Sequence, residues 1–166
     1  MKFDPELLAA ERGIDEIRCG RPVVMVDEAA AMIYAPLETI TPALCLHLRQ
    51  FGAGESWLLV SGERAIALGV DKAAVSGVFA LPLSADMALL DMMKMATSDP
   101  QRSDGDDLVV AVPGFPGSVG DSLIVRLLKT ALLLPVALKI PVVPMQAGSS
   151  RRWSPAERCM PSPVKA

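Results

Sequence analysis

Short apolar runs rich in β-branched residues alternate along this 166-residue chain with amphipathic stretches of helical period, and none of them is long enough to cross a bilayer. A spanning helix needs about 20 nearly continuous apolar residues. The best candidate, Ala131 to Leu138, is broken by Pro135 and flanked by Lys129 and Lys139. It reads as a helix end followed by a buried strand. Such alternation builds helices on a sheet. The hydrophobic share is 51% and mean hydropathy +0.38, but aromatics are only 4%, so small and aliphatic side chains must fill the core and hold helix and sheet close together. The expected class is α+β (mixed α/β), helices packed on a mixed sheet, with one domain over residues 1–145.

Local signals place the elements. Asp4-Pro5 offers a capping Asp and a first-turn Pro to an opening helix with Leu7, Leu8, Ile14 and Ile17 on its apolar face. Pro22 to Asp27 and Ala31 to Ala35 read as buried strands. Thr41-Pro42 starts a helix with Leu44, Leu48 and Phe51 at helical spacing. Trp57 to Val60 is expected to be a strand, Gly62 to Leu68 a short helix and Val75 to Leu81 a strand. Ser84 is expected to cap a helix running to about Ala96. Leu108 to Val112 reads as a strand, Asp121 to Leu134 as a helix and Val136 to Val143 as the last strand. Thr97 to Asp107 is polar and reads as a surface loop. From Gln146 onward Gly, Ser, Pro and four Arg or Lys residues replace the apolar pattern, so residues 146–166 are expected to form a disordered basic tail.

Charge and cysteine content narrow the setting. A net charge of −3 gives no overall attraction to nucleic acid. Met1 to Glu6 has no apolar secretory core, and Cys19, Cys45 and Cys159 show no paired spacing, so a reducing cytoplasm is expected, with neither nucleic acid nor membrane as partner. The same three cysteines are too dispersed to supply a zinc site of clustered thiolates, which needs several soft ligands converging from short spacings.

Four features have a chemical reading beside a plain one. The loop Pro113 to Asp121 opens a helix, so its amides could cradle a phosphate; it lacks the Lys of a nucleotide P-loop and also reads as a connecting loop. Ser84 with Asp86 reads as a substrate contact or as a helix cap with a first-turn acid. His47, between Leu46 and Leu48, has no identifiable nucleophile or metal partner and reads as structural or partly exposed, while Cys19 and Cys45 read as small buried hydrophobes. Arg151-Arg152-Trp153 has the basic-plus-aromatic look of a weak nucleic-acid contact, or of a solvated tail.

Ile14 to Asp27 resembles the opening of the 3,4-dihydroxy-2-butanone 4-phosphate synthase family, a helix running into G-[RK]-[PM]-V-x-V-x-D. That family continues with an acidic loop, D-x-x-R-E-N-E-G-D, bearing a magnesium carboxylate and a phosphate-binding Arg. Here Asp27 is followed by Glu28 and three alanines, and Met32 to Ala35 is similar to the strand after the loop. Thr41-Pro42-Ala43 is similar to the family's T-P-E helix start; Pro82 to Asp86 lies where the family reads T-G-I-S-A-x-D-R, with Met87 in place of Arg. Asp99 to Val112 parallels the stretch ending in R-P-G-H-V-F-P-L, and Gly120-Asp121-Ser122 stands where the family has G-H-T-E, whose His is a metal ligand. The resemblance spans roughly residues 5–143. Glu63 to Gly69, Ala80 to Leu83 and Leu132 to Leu138 look like the N-terminal domain of some bacterial GTP cyclohydrolase II proteins, a synthase-like domain without the acidic loop.

The resemblance implies a synthase-like fold whose catalytic charges are gone: a riboflavin-pathway pseudoenzyme module with no catalytic or metal-binding residue. Asp27, Glu28, Ser84, Asp86, Gly120, Asp121 and Ser122 would be residual substrate-like positions. Implied partners are a second copy or a GTP cyclohydrolase II protein, and no cofactor is expected. Two alternatives stay open. One is an active synthase acting on ribulose 5-phosphate with magnesium; the other is a small anion-binding domain using the Gly114 to Gly120 loop. If the frame is right, Val23 to Val26 and Met32 to Ala35 must be strands of one sheet.

Overall fold

The computed structural model describes residues 5–26, 30–52, 55–70, 77–98 and 113–142. Five helices and six strands follow in the order α1 (Pro5–Arg18), β1 (Val23–Val26), β2 (Ala31–Pro36), α2 (Pro42–Phe51), β3 (Trp57–Ser61), α3 (Gly62–Ala67), β4 (Val78–Pro82), α4 (Leu89–Thr97), β5 (Phe115–Pro116), α5 (Val119–Thr130) and β6 (Ala137–Pro141). The strands form one sheet in the order β1-β2-β6-β3-β4-β5. All five pairings are antiparallel, so among the described residues the sheet is antiparallel rather than mixed. The α+β class with helices on a sheet holds.

β1 and β2 pair in the register Val23↔Tyr34 to Val26↔Ala31. The two opening strands therefore share the sheet, as the frame required. β6 enters between β2 and β3, with Lys139 opposite both Tyr34 and Trp57.

Side chains alternate across the sheet because successive residues of a strand point to opposite faces. Ile33, Ala35, Leu58, Val60, Phe79, Leu81, Leu138 and Ile140 join the core shared with α2, α3 and α4. Their neighbours Tyr34, Leu59, Ala80 and Ala137 join a second core with Ile17 of α1 and Ile124 and Leu128 of α5. The molecule is thus helix–sheet–helix in section.

Capping fixes the helix starts. Thr41 Oγ1 accepts from the Leu44 amide at 3.2 Å with Pro42 in the first helical position, and Ser61 Oγ accepts from the Arg64 amide at 3.4 Å. Ser118 and Asp121 form a reciprocal capping box on α5. Arginines close three remote backbone ends. Arg18 reaches the Thr130 and Ala131 carbonyls, both at 3.4 Å, and Arg64 reaches the Met95 carbonyl at 2.7 Å. Arg49 binds Ser56 Oγ at 3.2 Å, the Met87 carbonyl at 2.6 Å and the Ser84 carbonyl.

Several expectations are corrected. Ser84 does not cap α4, which begins five residues later after Ala88 and has no side-chain cap. Instead Ser84 to Met87 form a turn, closed by the Met87 amide on the Ser84 carbonyl at 3.1 Å and tied to α2 through Arg49. The last helix starts at Val119 and ends at Thr130, not Leu134. Leu132 takes a left-handed φ of 62°, and Pro135 disfavours helical backbone at Leu134. Cys45 is buried as expected, but Cys19, directly after α1, is exposed. Phe115–Pro116, read as loop, is a short edge strand on β4, where a proline's missing N–H is tolerated. The expected strand Leu108 to Val112, most of the loop 97–107 and the tail 146–166 lie outside the described residues.

Candidate functional site

Where α5 meets the sheet, three elements converge on Asp121. The capping box turns this first-turn carboxylate inward, and its side chain is 1% exposed. Tyr34 of β2 donates its hydroxyl to Asp121 Oδ1 at 2.9 Å. The Ser118 amide donates to Oδ2 at 2.8 Å, and Lys139 Nζ of β6 lies 2.8 Å from the same oxygen. The Lys139 side chain is 13% exposed. The antiparallel pairing puts Tyr34 and Lys139 side by side on this face, directly beneath the helix start.

Burial alone would raise the Asp121 pKa; hydrogen bonds from Lys139, the Ser118 amide and Tyr34 outweigh it and hold the carboxyl below the ordinary carboxylate value. Asp121 is therefore a charged, internally neutralised carboxylate. Three of its roughly four acceptor positions are occupied.

Beside this node opens a pocket of about 410 Å³. Met32, Trp57, Phe115 and Pro116 supply apolar wall, and Lys139 and Asp121 supply charge. Phe115 is 57% exposed, so the pocket wall carries apolar surface open to water.

The glycines of the preceding loop are explained by close packing. A Cβ on Gly117 would lie 2.9 Å from the Val78 carbonyl oxygen, and one on Gly114 2.5 Å from Val70 Cγ1. The Gly117 amide donates to the Val78 carbonyl at 2.7 Å and the Ser118 amide to Asp121. Two of the amides that a phosphate cradle would use are therefore committed to the fold.

The other candidate positions do not converge here. Ser84 and Asp86 belong to the exposed turn before α4, where a hydrogen bond from Ser84 lowers the Asp86 pKa. Ser122 turns back into α5, its hydroxyl donating to the Ser118 carbonyl at 3.1 Å, and Gly120 sits beside Tyr34. Asp27 and Glu28 lie outside the described residues. His47 is exposed on α2 and meets Phe51 edge to face, centroids 5.2 Å apart. Burial raises the pKa of Cys45, and the Arg49 charge only partly offsets it, so this thiol is a core residue and no nucleophile. Tyr34 and Lys139 were missed from sequence. Lys139 did carry a signal, as a lone charge inside the apolar run Val136 to Val143.

No protein-family model matches the chain, and no curated protein does. Solved structures do match. A 3,4-dihydroxy-2-butanone 4-phosphate synthase of Candida albicans aligns with a TM-score of 0.59 and 19% identity, over 89% of this chain and 84% of that one. A synthase of the same name in complex with two magnesium ions aligns with a TM-score of 0.57 and 16% identity, over 90% and 82%. RibBX, a two-domain 3,4-dihydroxy-2-butanone 4-phosphate synthase from A. baumannii, aligns with a TM-score of 0.58 and 13% identity over 86% of this chain. The present chain spans half the length of that protein, 50%. The fold is thus that of the 3,4-dihydroxy-2-butanone 4-phosphate synthases.

Magnesium accompanies one of these structures. Among the described residues no three His, Cys, Asp or Glu side chains gather as metal ligands. Asp121 already holds an ammonium at 2.8 Å on one oxygen and a phenol hydroxyl on the other. Among the described residues no helix is long and apolar enough to cross a membrane.

Proposed function

We propose that this chain is a riboflavin-biosynthesis-related, catalytically degenerate synthase-like domain, a pseudoenzyme module that associates with a GTP cyclohydrolase II protein or with a second copy of itself. The observation that carries this reading is the Asp121–Lys139 pair. The sequence resemblance puts Asp121 where the synthases have a metal-ligating His, and here Asp121 is paired with the Lys139 ammonium. A reaction that removes a proton next to a carbonyl and rearranges a carbon skeleton needs a stabilised enediolate and placed acid–base groups. The node offers a carboxylate with its charge already paired. The exposed large apolar side chains of Phe115 and Val119 support the association half, since apolar surface left open to water favours a contact.

The test of catalysis is release of formate from ribulose 5-phosphate with magnesium present. No release above background is expected. Magnesium-dependent formate would overturn the degenerate reading and establish the active synthase instead. Association is tested by sedimentation at micromolar concentration, alone and with a GTP cyclohydrolase II protein; a clean monomer in both mixtures removes that half of the proposal.

A further inference from the structure

The pocket beside the Asp121–Lys139 pair combines features that a residual structural node does not need. Its volume of about 410 Å³ lies within the range of roughly 300–1,000 Å³ of small-molecule sites. The chain has only seven Phe, Trp and Tyr residues, and two of them, Trp57 and Phe115, line this one pocket. Lys139 gives one of its three N–H donors to Asp121 and has no second acceptor among the described residues, although most of its side chain is buried. The start of α5 adds the positive end of a helix dipole. The Asp121–Lys139 pair is close to neutral as a unit and the Asp121 oxygens are already donated to three times, so what the pair offers the pocket is the remaining N–H donors of the ammonium.

We infer that this pocket binds a small aromatic acid, a one- or two-ring carboxylate whose ring packs with Trp57 and Phe115 and whose carboxylate takes the remaining donors of Lys139. Apolar walls with one placed cation select for this combination: the ring removes water from both aromatics, and the acid supplies the acceptors the ammonium lacks. Lys139, not the loop glycines, grips the acid, since the Gly117 and Ser118 amides are committed elsewhere. The inference shares Phe115 with the association half of the proposed function; formate release and sedimentation test that reading, and binding tests this one.

The experiment is a ¹H–¹⁵N NMR titration of the full chain with 2-naphthoate, following the Trp57 indole and the Val119 and Gly120 amides, with Trp57→Phe to assign the indole. Saturable shifts confined to this region are expected. The acid should bind about tenfold more tightly than 2-naphthylmethanol, which lacks the charge, and than hexanoate, which lacks the ring; a tenfold ratio corresponds to about 1.4 kcal/mol. Phe115→Ala changes an exposed edge residue and should preserve the spectrum elsewhere while weakening 2-naphthoate severalfold. Shifts scattered away from the pocket, equal binding of all three probes, or unaltered affinity in a folded Phe115→Ala protein would each overturn the inference. So would pocket signals that move with protein concentration and ignore 2-naphthoate, because a second copy would then be the occupant.

Discussion

On the side of α2, α3 and α4 the sheet is closed by hydrocarbon: among the described residues 20 buried side chains form one continuous core, from Ile33 and Leu58 to Met92 and Met95. On the side of α1 and α5 the described residues give a core of 8, and where it thins toward the start of α5 the sheet presents Tyr34, Lys139 and Trp57 in adjacent strands. One face is held by volume, the other partly by a buried charge pair. A hydrocarbon face tolerates only side chains that fill it and leaves little room for chemistry. A face built around paired charges is costly in solvation, and it keeps polar groups and open space together. Candidate function therefore concentrates on the second face, and each face should fail in its own manner when cut.

The largest effect is expected at the charge pair. Lys139→Met leaves Asp121 buried without its counter-charge, and breaking one partner of such a pair costs about 4 kcal/mol. The double variant Lys139→Met with Asp121→Asn should regain most of that loss, because no charge is stranded and an amide can still bond Tyr34. Urea unfolding measures both. A single variant within about 1 kcal/mol of the parent would show that the pair is wet and removable, and the contrast between the faces would collapse.

On the closed face, Leu58→Ala should cost somewhat less, about 3 kcal/mol, by cavity formation. Leu58 is fully buried, with Leu81 and Leu138 as its register partners on the neighbouring strands. Its loss should be the same at all pH values, whereas the loss at Lys139 should shrink in acid as Asp121 becomes protonated. If Leu58→Ala also weakened strongly with acid, the two faces would not be energetically separate.

How much of this was legible beforehand follows from what each signal depends on. β1, β2, β3 and β6 fell within a residue or two of their expected bounds, because short β-branched runs between turns mark buried strands whatever packs on them. The start of α2 was legible because Thr41 and Pro42 carry it locally. Ser84 misled because an N-cap residue is also a turn residue; Arg49, 35 positions earlier in sequence, holds the turn to α2. Phe115–Pro116 was invisible as a strand, since a two-residue edge has no periodicity and its register comes from β4. At the site, Asp121 was named, but for a position inherited from a resemblance. Its actual role rests on Tyr34 at a separation of 87 residues and on Lys139 at 18, pairings that only the sheet order creates. Side-chain partners across a sheet carry no local sequence signature.

The smallest expected effect probes the charge node most directly. Tyr34→Phe removes the hydroxyl bonded to Asp121 Oδ1 and leaves the ring in the core. A hydrogen bond to a charged group contributes about 1.5 kcal/mol, so a loss of that size is expected at neutral pH. Its pH dependence has a defined sign. The folded-state pKa of Asp121 lies below the ordinary value of 3.8, so the carboxylate stabilises the fold above 3.8 and that stabilisation is lost as pH falls through the folded pKa. Tyr34 is one of the donors that depress this pKa, so its removal moves the folded value upward, toward 3.8. The variant should then lose its Asp121 contribution at a higher pH than the parent, and the stability gap between the two should narrow once both are protonated, to what the hydroxyl contributes to a neutral carboxyl. Chemical denaturation from neutral pH down to the acid limit of the fold reads the gap directly. A gap that persists unchanged in acid would mean that the Tyr34 hydroxyl contributes independently of the Asp121 charge, and that the charge node owes its hold to Lys139 and the helix start alone.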